Sequence, residues 1–414
     1  MLKNDTNKQF TVAVFGYGGR GKIYADNFYT LGVKITAICD PEQSRRVLAK
    51  NCYGCETFAE ENEFFQKKRA DVLIIATLDD MHYKPCIRAL KEGYDVILEK
   101  PISFKIKECE EIAKVAEETK RSVSVCHVLR YAPFYTIAKS LLDSGKFGKI
   151  LQVNMTEDIG YYHYAHSYVR GPWRNKKISA PVILAKSCHD MDLFAWFIGK
   201  KCKILNSFGE LSFFNREHAP QGATKNCFDC PHEKDCVYSC FKIYLNKEYE
   251  KLAALARHGR LGSTDKEIIE SLKDPANKYG RCVFACDNDV FDHQTVNMLF
   301  DGGVTGTFTL SAFSQNMQRT LKIYCEKGEI YGSSDDKKVK YTFFGDPEEK
   351  EIGVVYENEI YASHGGGDMG LVSDFVKNYG KQQMKSDIRL SLQSHYMGFA
   401  AEESATNDGK TVYL

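Results

Sequence analysis

The sequence predicts an α/β protein in which a parallel, helix-flanked sheet is followed by a mostly antiparallel sheet. Three observations lead to this fold class. Apolar runs alternate with helical patterns up to about residue 130, a glycine-rich loop follows the first run, and several runs beyond residue 150 alternate apolar with polar side chains. The first pattern is typical of parallel sheets, and the last is typical of antiparallel sheets with one face in solvent.

The predicted parallel sheet consists of five apolar runs, Thr11–Phe15, Lys34–Cys39, Asp71–Thr77, Asp95–Leu98 and Ser122–His127. They are rich in Val and Ile, as expected for strands covered by helices on both faces. Polar residues gather at their carboxyl ends, among them Thr77, Glu99, Lys100 and His127. Because ligands bind at that edge of an open α/β sheet, we expect the functional site there.

The loop after the first run has the pattern G-x-G-x-x-G, formed by Gly16, Gly18 and Gly21 with Gly19 and Arg20 between them. In a strand, loop and helix context, the first glycine permits a tight turn, the second lets a pyrophosphate approach the backbone, and the third lets helix and strand pack closely. Unpaired N–H groups at the helix N-terminus favour the phosphates. The alternative, glycines that serve only a tight turn, explains the spacing less well. The loop therefore predicts a Rossmann domain that binds a dinucleotide.

Asp40 ends the second apolar run, about where a carboxylate that binds ribose belongs. It would accept hydrogen bonds from the 2′-hydroxyl and repel a 2′-phosphate, which favours NAD over NADP. Arg45, with its neighbour Arg46, weakens that preference because an arginine accommodates a 2′-phosphate.

The second part begins with a helical pattern over Pro133–Asp143, and its clearest hairpin joins Thr295–Phe300 to Val304–Phe313 through a glycine turn. We predict a Rossmann NAD-binding domain over residues 1–130. Residues 131–414 are predicted to form an α+β domain for substrate binding and oligomerisation, with a large, mostly antiparallel sheet. Residues 216–280, which contain a Cys-rich segment and a helical stretch over Lys247–Lys273, are predicted to be an insertion.

Charge and hydropathy exclude several classes of partner. The chain of 414 residues has 56 basic and 55 acidic side chains, a formal charge of +1, which indicates neither nucleic acid nor an anionic membrane as partner. No run is long enough for a membrane span, and the first residues have no signal-peptide core, so we expect a cytoplasmic protein. A small molecule is the expected partner.

Glu99, Lys100 and Pro101 follow the fourth predicted strand. A lysine there would point into the cleft where the nicotinamide lies, donate a hydrogen bond to a substrate hydroxyl and stabilise the alkoxide that forms as hydride leaves. The alternative is a surface lysine paired with Glu99.

Together with the glycine loop, these residues resemble the glucose-fructose oxidoreductase, inositol dehydrogenase and rhizopine-catabolism family, abbreviated Gfo/Idh/MocA. The resemblance covers almost the whole chain and includes Thr77, His82, Glu99-Lys100-Pro101, Arg130-Tyr131 with Pro133, Gly145 with Gly148, and a later histidine motif. It implies an NAD(P)-dependent enzyme that acts on sugars or cyclitols and assembles as a homodimer or homotetramer. It also implies cofactor contacts by Thr77, His82, Glu99, Lys100 and Arg130.

The histidine motif departs from the family pattern. Family members often carry an Asp four residues before the catalytic His, whereas here Ala185 has that spacing from His189 and Lys186 lies three residues before it. Because positions three apart on a helix are neighbours, we expect Lys186 and His189 to face one cleft. The chain thus resembles a sub-branch of the family with Lys and His in place of the usual Asp and His. This implies that His189 or Lys186 takes the hydroxyl proton. The alternative is that His189 is a packing residue.

The segment from Tyr161 to Trp173 is dense in aromatic and histidine side chains, which suit the apolar faces and hydroxyls of a sugar. Its substrate candidates are Tyr162, His163, His166, Tyr168 and Arg170, although half of them could instead be core or interface residues. Further along the chain, His293 could line the pocket or cap a strand. His364, which precedes three glycines, is predicted to form a turn.

Cys227, Cys230, Cys236 and Cys240 have the spacing C-x2-C-x5-C-x3-C. Four thiolates so close predict a structural zinc site, with an iron-sulfur cluster as a second option. The alternative is a small packed loop of reduced cysteines, because the segment has a single C-x2-C pair.

These observations predict an NAD-dependent oxidoreductase that transfers hydride between nicotinamide and a hydroxyl of a sugar or glycoside. Oxidation of a glycoside at C3 is a finer variant that the resemblance implies. Two alternatives stay open, a redox-assisted glycosidase with tightly bound catalytic NAD and a non-catalytic NAD-binding scaffold.

Overall fold

The computed structural model describes residues 10–249, 252, 264–355, 363–381 and 384–414. The chain forms two compact units. Unit 1 comprises Met1–Ile150, Cys188–Lys201 and Cys325–Phe399, and unit 2 comprises Leu151–Ser187, Cys202–Tyr324 and Ala400–Leu414. The predicted domain boundary near residue 130 stays a prediction.

Unit 1 contains a six-stranded parallel sheet. In spatial order its strands are β3 (Glu56–Phe58), β2 (Lys34–Cys39), β1 (Thr11–Phe15), β4 (Val72–Ile75), β5 (Asp95–Leu98) and β6 (Val123–Val125). The order reverses beside β1, which places the glycine loop at the switch point where such sheets bind ligands. The five predicted strands are present, and β3 is an additional edge strand.

Helices cover both faces of this sheet. Those of the first 150 residues are α1 (Gly19–Thr30), α2 (Gln43–Tyr53), α3 (Glu61–Phe64), α4 (Tyr83–Lys91), α5 (Ile106–Thr119) and α6 (Pro133–Asp143). Val14 packs with Phe28 and Phe375 in one buried cluster, and its neighbour Phe15 packs with Phe64 in the other. Successive strand residues therefore enter opposite cores, as the apolar runs predict.

In unit 2, helices α7 (Tyr161–Tyr164), α8 (Val182–Ala185), α10 (Cys240–Tyr244) and α11 (Asp265–Lys273) accompany a mostly antiparallel sheet. The strands in this unit are β7 (Ile150–Asp158), β8 (Cys202–Glu210), β9 (His293–Phe300), β10 (Thr305–Ser311), β11 (Gln318–Cys325) and β15 (Val412–Tyr413). The predicted hairpin is β9 paired with β10, whereas β10 pairs with β7 in parallel. Part of the helical stretch predicted over Lys247–Lys273 lies outside the described residues.

Unit 1 also contains helix α9 (Cys188–Ile198), helix α12 (Gly367–Asn378) and an antiparallel set of strands, β12 (Gly328–Ser333), β13 (Lys338–Phe343) and β14 (Lys350–Gly353). Helix α13 (Ile388–Ala405) ends the helical part of the chain. The predicted fold class is confirmed, a Rossmann-type parallel sheet with a mostly antiparallel sheet in the C-terminal part. Within the described residues, no helix is long and apolar enough to span a membrane.

Candidate active site

The glycine loop fits a bound dinucleotide. Gly16 has a φ of +90°, and a Cβ on Gly21 would lie 2.0 Å from the Gly16 carbonyl oxygen, so packing requires glycine at both positions. By contrast, a Cβ on Gly18 would have no neighbour nearer than 3.8 Å, and one on Gly19 none within 4 Å. The open space over Gly18 and Gly19 suits a pyrophosphate close to the backbone, at the start of α1.

Asp40 lies beside this loop and is almost fully buried. Its Oδ2 accepts a hydrogen bond from Tyr17 N at 2.8 Å and its Oδ1 accepts one from Glu42 N at 2.9 Å. Arg45 Nη1 lies 3.4 Å from Oδ2, and the Arg45 side chain is half exposed. These contacts fix the carboxylate beside the glycine loop, and its predicted contact with the ribose stays a prediction.

Arg20 joins the start of α1 to two buried carboxylates. Its Nε lies 2.6 Å from Glu99 Oε1, and its Nη2 lies 2.5 Å from Asp368 Oδ1 on α12. It also donates to the hydroxyl of Tyr24. The structure thus gives the guanidinium of Arg20 partners within the protein, and its predicted contact with the cofactor stays a prediction.

The turn that contains Lys100 is fixed by three side chains. Glu99 Oε2 accepts a hydrogen bond from Lys100 N at 2.9 Å. His82 Nδ1 lies 2.8 Å from Pro101 O, and Ile102 N donates to His395 Nε2 at 2.8 Å. Because both histidines are buried, the turn after β5 is held rigidly.

Thr77 and His82 are predicted cofactor contacts that have partners within unit 1. Thr77 Oγ1 donates to Met81 O at 3.1 Å, and the second ring nitrogen of His82 lies 3.3 Å from Thr77 O. His82 therefore links the end of β4 to the Lys100 turn.

Four histidine rings form a cluster near Lys100, which we call the histidine cluster: His127, His189, His364 and His395. Ring centroids are 5.9 Å apart for His127 and His189, 5.9 Å for His127 and His395, and 6.0 Å for His189 and His364. Burial, a nearby arginine and the Lys100 ammonium hold the pKa of His127 well below its ordinary value. Burial, aided by His127, lowers the pKa of His395 to about 3. Lys100 thus lies close to the ring that contacts His189.

Arg130, another predicted cofactor contact, is buried, and its side-chain nitrogens have partners within the protein. Its Nε and Nη2 each lie 2.6 Å from an oxygen of Asp192, and its Nη1 donates to Lys385 O at 2.6 Å. Asp192 follows His189 by three residues on α9. We therefore assign Arg130 the task of holding the helix that carries His189.

The expectation that Lys186 and His189 share one helix is wrong. Helix α8 ends at Ala185 and α9 begins at Cys188. Lys186 N bonds to Val182 O, and Ser187 N reaches the same carbonyl at 3.4 Å, five residues back, which interrupts the regular hydrogen-bond ladder. The spacing argument for a shared face thus does not apply.

Lys186 instead belongs to a charged group in unit 2. Its Nζ lies 3.2 Å from Glu157 Oε1, and Arg319 Nε lies 2.5 Å from Glu157 Oε2. Burial of its ring, together with the nearby Lys186 charge, holds the pKa of His163 well below its ordinary value. Lys186, Arg319, Glu157 and His163 form a compact polar group.

Of the other predicted substrate contacts, three are buried in unit 2. The His166 ring stacks on Tyr279 at 4.7 Å, Tyr168 stacks on Tyr164 at 5.3 Å, and Arg170 is fully buried. These side chains are core residues, as the alternative interpretation holds.

The remaining two aromatic or histidine candidates are more accessible. Tyr162 is partly exposed and stacks on Tyr249 with ring centroids 3.9 Å apart. His293 is exposed, and its Nδ1 lies 2.8 Å from the buried Asp292. Both stay candidates for substrate contacts.

The predicted metal centre is not supported. In the ranges that the structure describes, no group of three or more Cys, His, Asp or Glu side chains is placed to hold a metal ion. None of the four cysteines of the segment, Cys227, Cys230, Cys236 and Cys240, forms a disulfide. Arg170 instead links two parts of this region by hydrogen bonds. Its Nε donates to Arg281 O and its Nη2 donates to Tyr238 O, each at 2.7 Å. The Arg170 guanidinium also contacts one of the four cysteines, Cys227.

Cys227 is the expected thiolate of this segment. Its Sγ accepts hydrogen bonds from Cys240 N at 3.5 Å and from Arg170 Nη2 at 3.6 Å. Hydrogen bonding by Cys240 and the Arg170 charge outweigh burial and lower the pKa of Cys227 to about 6. The free thiol in an unfolded chain has a pKa of about 8.5. The contribution to stability is therefore complete above that unfolded-state value and is lost as the pH falls through about 6.

We expect the ultraviolet thiolate absorbance of the native protein to titrate with a midpoint near 6, and this step to disappear in Cys227→Ser. Cys52→Ser is the matched control, because Cys52 is an exposed thiol. A titration that is unchanged in Cys227→Ser would contradict the assignment.

Comparison with known proteins agrees with this geometry. Residues 10–127 match the model of the oxidoreductase family's NAD-binding Rossmann fold, and residues 139–405 match its C-terminal alpha/beta domain. The chain belongs to the Gfo/Idh/MocA oxidoreductase family. It is 23% identical to the oxidoreductase YteT of Bacillus subtilis over 363 residues, 82% of this chain and 81% of that relative.

Two further comparisons are with proteins whose names state a dehydrogenase activity. The chain is 26% identical to scyllo-inositol 2-dehydrogenase (NAD(+)) of Bacillus subtilis over 206 residues, 49% of this chain and 58% of that relative. The WlbA dehydrogenase of Bordetella pertussis, solved with NADH and UDP-GlcNAcA, superposes with a TM-score of 0.69 at 16% identity, covering 99% of each chain. The latter similarity shows the fold. Together with the family match, these findings make this chain an NAD-binding oxidoreductase.

Sequence reasoning missed several residues of the site. Asp192 holds Arg130, Asp368 holds Arg20, and His395 holds the turn after Lys100. The local sequence gives Asp368 and His395 no motif. The spacing of Asp192 from His189 is a signal that could have been used, because residues three apart on a helix share a face.

Proposed function

We propose that the protein transfers hydride between NAD and a secondary hydroxyl of a sugar, cyclitol or glycoside, with Lys100 and His189 as its catalytic residues. The observation that carries the proposal is the position of Lys100. It lies on a rigid turn at the carboxyl end of β5, in the unit that contains the glycine loop, and its charge acts on the His127 ring 5.9 Å from that of His189. The names of relatives such as scyllo-inositol 2-dehydrogenase support this class of substrate.

In this proposal the protein's groups handle the oxygen and its proton. NAD, when bound, supplies the hydride acceptor. The Lys100 ammonium donates a hydrogen bond to the substrate hydroxyl and stabilises the negative charge that develops on its oxygen. The His189 imidazole takes the hydroxyl proton. In the reverse direction the same groups deliver the proton to a ketone.

Lys186 is better suited to substrate binding than to proton removal. An ammonium held 3.2 Å from Glu157 is stabilised in its charged form, which donates hydrogen bonds and does not accept a proton. We propose that Lys186 and His163 bind substrate hydroxyls. The finer proposal that the oxidised carbon is C3 of a glycoside rests on the family resemblance.

The test uses the purified protein with NAD and a panel of sugars, cyclitols and glycosides. We expect NADH to accumulate in step with a keto product, which mass spectrometry identifies together with the oxidised carbon. Denaturing the protein and measuring the released nucleotide per chain shows whether NAD is retained during purification.

Other outcomes separate the alternatives. A glycoside that is cleaved without accumulation of NADH would favour the redox-assisted glycosidase. If deuterated NADH transfers no label to any keto-sugar of the panel, the protein is a scaffold and the proposal fails.

A further inference from the structure

His364 has an unusual backbone conformation immediately before α12. Its φ and ψ are 49° and 41°, in the left-handed region, and Gly365 and Gly366 follow with φ values of 60° and 84°. A side chain other than glycine in this region costs on the order of 1 kcal/mol or more. A strained residue of this kind is retained where the surrounding structure fixes it, often at a functional site. The strain at His364 therefore suggests a function for its ring.

The ring is oriented by a buried carboxylate. His364 Nδ1 lies 3.0 Å from Asp368 Oδ2, and Asp368 is 1% exposed. Although burial acts to raise it, hydrogen bonds from His364 and Arg20 hold the pKa of Asp368 well below its ordinary range. A charged carboxylate only accepts hydrogen bonds, so Nδ1 carries the proton and Nε2 is the acceptor of a neutral ring. Arg20 Nη1 lies 3.4 Å from Nδ1 but donates to Asp368 at 3.1 Å.

His364 is also the accessible member of the histidine cluster. Among the described residues of this cluster, His127 and His395 are fully buried and His189 is 4% exposed, whereas the His364 side chain is 37% exposed. The buried rings of His127 and His395 resist protonation, because burial lowers their pKa values. Of the other three rings in the cluster, His364 is therefore the one suited to pass a proton between His189 and solvent.

We propose that His364, oriented by Asp368, is a proton-relay residue that moves the substrate's proton between His189 and solvent. The inference rests on the proposed function. During oxidation the substrate O–H bond breaks and its proton binds His189. A proton from that imidazolium then moves to His364 Nε2, through one bridging water across the 6.0 Å between ring centroids, and leaves to a buffer base. During reduction the proton moves in the opposite direction, and no electrons are transferred in the relay.

The charged groups that face His364 fit this role. Asp368 lies 3.0 Å from Nδ1 of the ring, and Arg20, from α1, lies 3.4 Å from the same nitrogen. His189, from α9, is the proton donor. Glu99 pairs with Arg20 and so partly neutralises the guanidinium charge.

The test variant is His364→Asn, because asparagine adopts the left-handed conformation with little strain and lacks the imidazole. In weakly buffered solution we expect kcat to fall by about 10²-fold, with NAD affinity unchanged. Added imidazole should restore much of the rate, since a small base can take the proton that His364 no longer carries. His218→Ala, which removes an exposed histidine of unit 2, should match the wild type with and without imidazole.

A second measurement uses cofactor-free protein. Nitrogen NMR of the wild-type histidines should show the His364 proton on Nδ1, and the preference for this tautomer should weaken in Asp368→Asn. A proton on Nε2, or a His364→Asn variant that turns over at the wild-type rate in weak buffer, would overturn the relay. A variant that imidazole does not rescue would overturn it as well. If the wild type itself transfers no hydride, the proposed function is wrong. Failure of the relay is distinguished from this because it leaves hydride transfer by the wild type intact.

Discussion

Replacing Lys100 with methionine is expected to lower kcat for hydride transfer by about 10³-fold, because the ammonium both orients the hydroxyl and stabilises the developing alkoxide. Methionine keeps most of the length and volume of the side chain, so Glu99, His82 and His395 still hold the turn. We therefore expect the affinity for NAD to change by no more than about threefold, since a loss of this type affects the transition state more than cofactor binding.

The measurement combines steady-state kinetics with substrate deuterated at the reacting carbon. If the chemical step becomes slower, the deuterium isotope effect on kcat should rise in Lys100→Met. Lys105→Met is the matched control, because Lys105 is 63% exposed and pairs with Glu108 on the surface. Turnover by Lys100→Met within tenfold of the wild type would remove Lys100 from the mechanism.

The parallel sheet is predictable because buried strands need continuous apolar runs. Such runs can be recognised in the sequence without reference to the residues around them. Strand β3 cannot be predicted in this way, since three residues at a sheet edge are too few to form a pattern. The break between α8 and α9 cannot be predicted from the sequence pattern either. A helical pattern runs through Lys186, and only the tertiary structure ends α8 at Ala185 and begins α9 at Cys188.

The residues of the site likewise fall into those that the local sequence identifies and those that it does not. The glycine loop and the Lys100 turn are local, so their residues and spacing identify them. The groups that hold them come from distant parts of the chain: His395 contacts Ile102 across 293 residues and Asp368 contacts Arg20 across 348. Such pairs leave no local pattern, and neither does the burial of Arg170, whose sequence neighbours predicted a sugar-binding surface.

Arg20→Met is expected to have the largest effect on stability, lowering the free energy of unfolding at about pH 7 by roughly 3 to 5 kcal/mol. The change leaves two carboxylates without their cation. The Glu99 and Asp368 side chains are 7% and 1% exposed. Against burial, Arg20 and the Lys100 charge hold the pKa of Glu99 below its ordinary value.

The pH dependence follows from these shifts. In the wild type both carboxylates have depressed pKa values, so they stabilise the fold above their unfolded-state values of about 4 and lose this effect as the pH falls through the folded-state values. In Arg20→Met, burial without the cation raises both pKa values. That variant regains stability as its carboxylates take up protons, so its deficit relative to wild type should be smaller at about pH 5 than at about pH 7.

Chemical denaturation followed by circular dichroism at both pH values measures the deficit. Lys22→Met is the matched control on the same helix, because Lys22 and Asp26 form an exposed pair with side chains 42% and 39% exposed. Such a pair contributes about 0.5 kcal/mol or less. Since Arg20 links the glycine loop to the residue before Lys100 and to the carboxylate that orients His364, its loss should also weaken NAD binding. A deficit under about 1 kcal/mol, or one that grows on acidification, would show that the two carboxylates do not depend on Arg20.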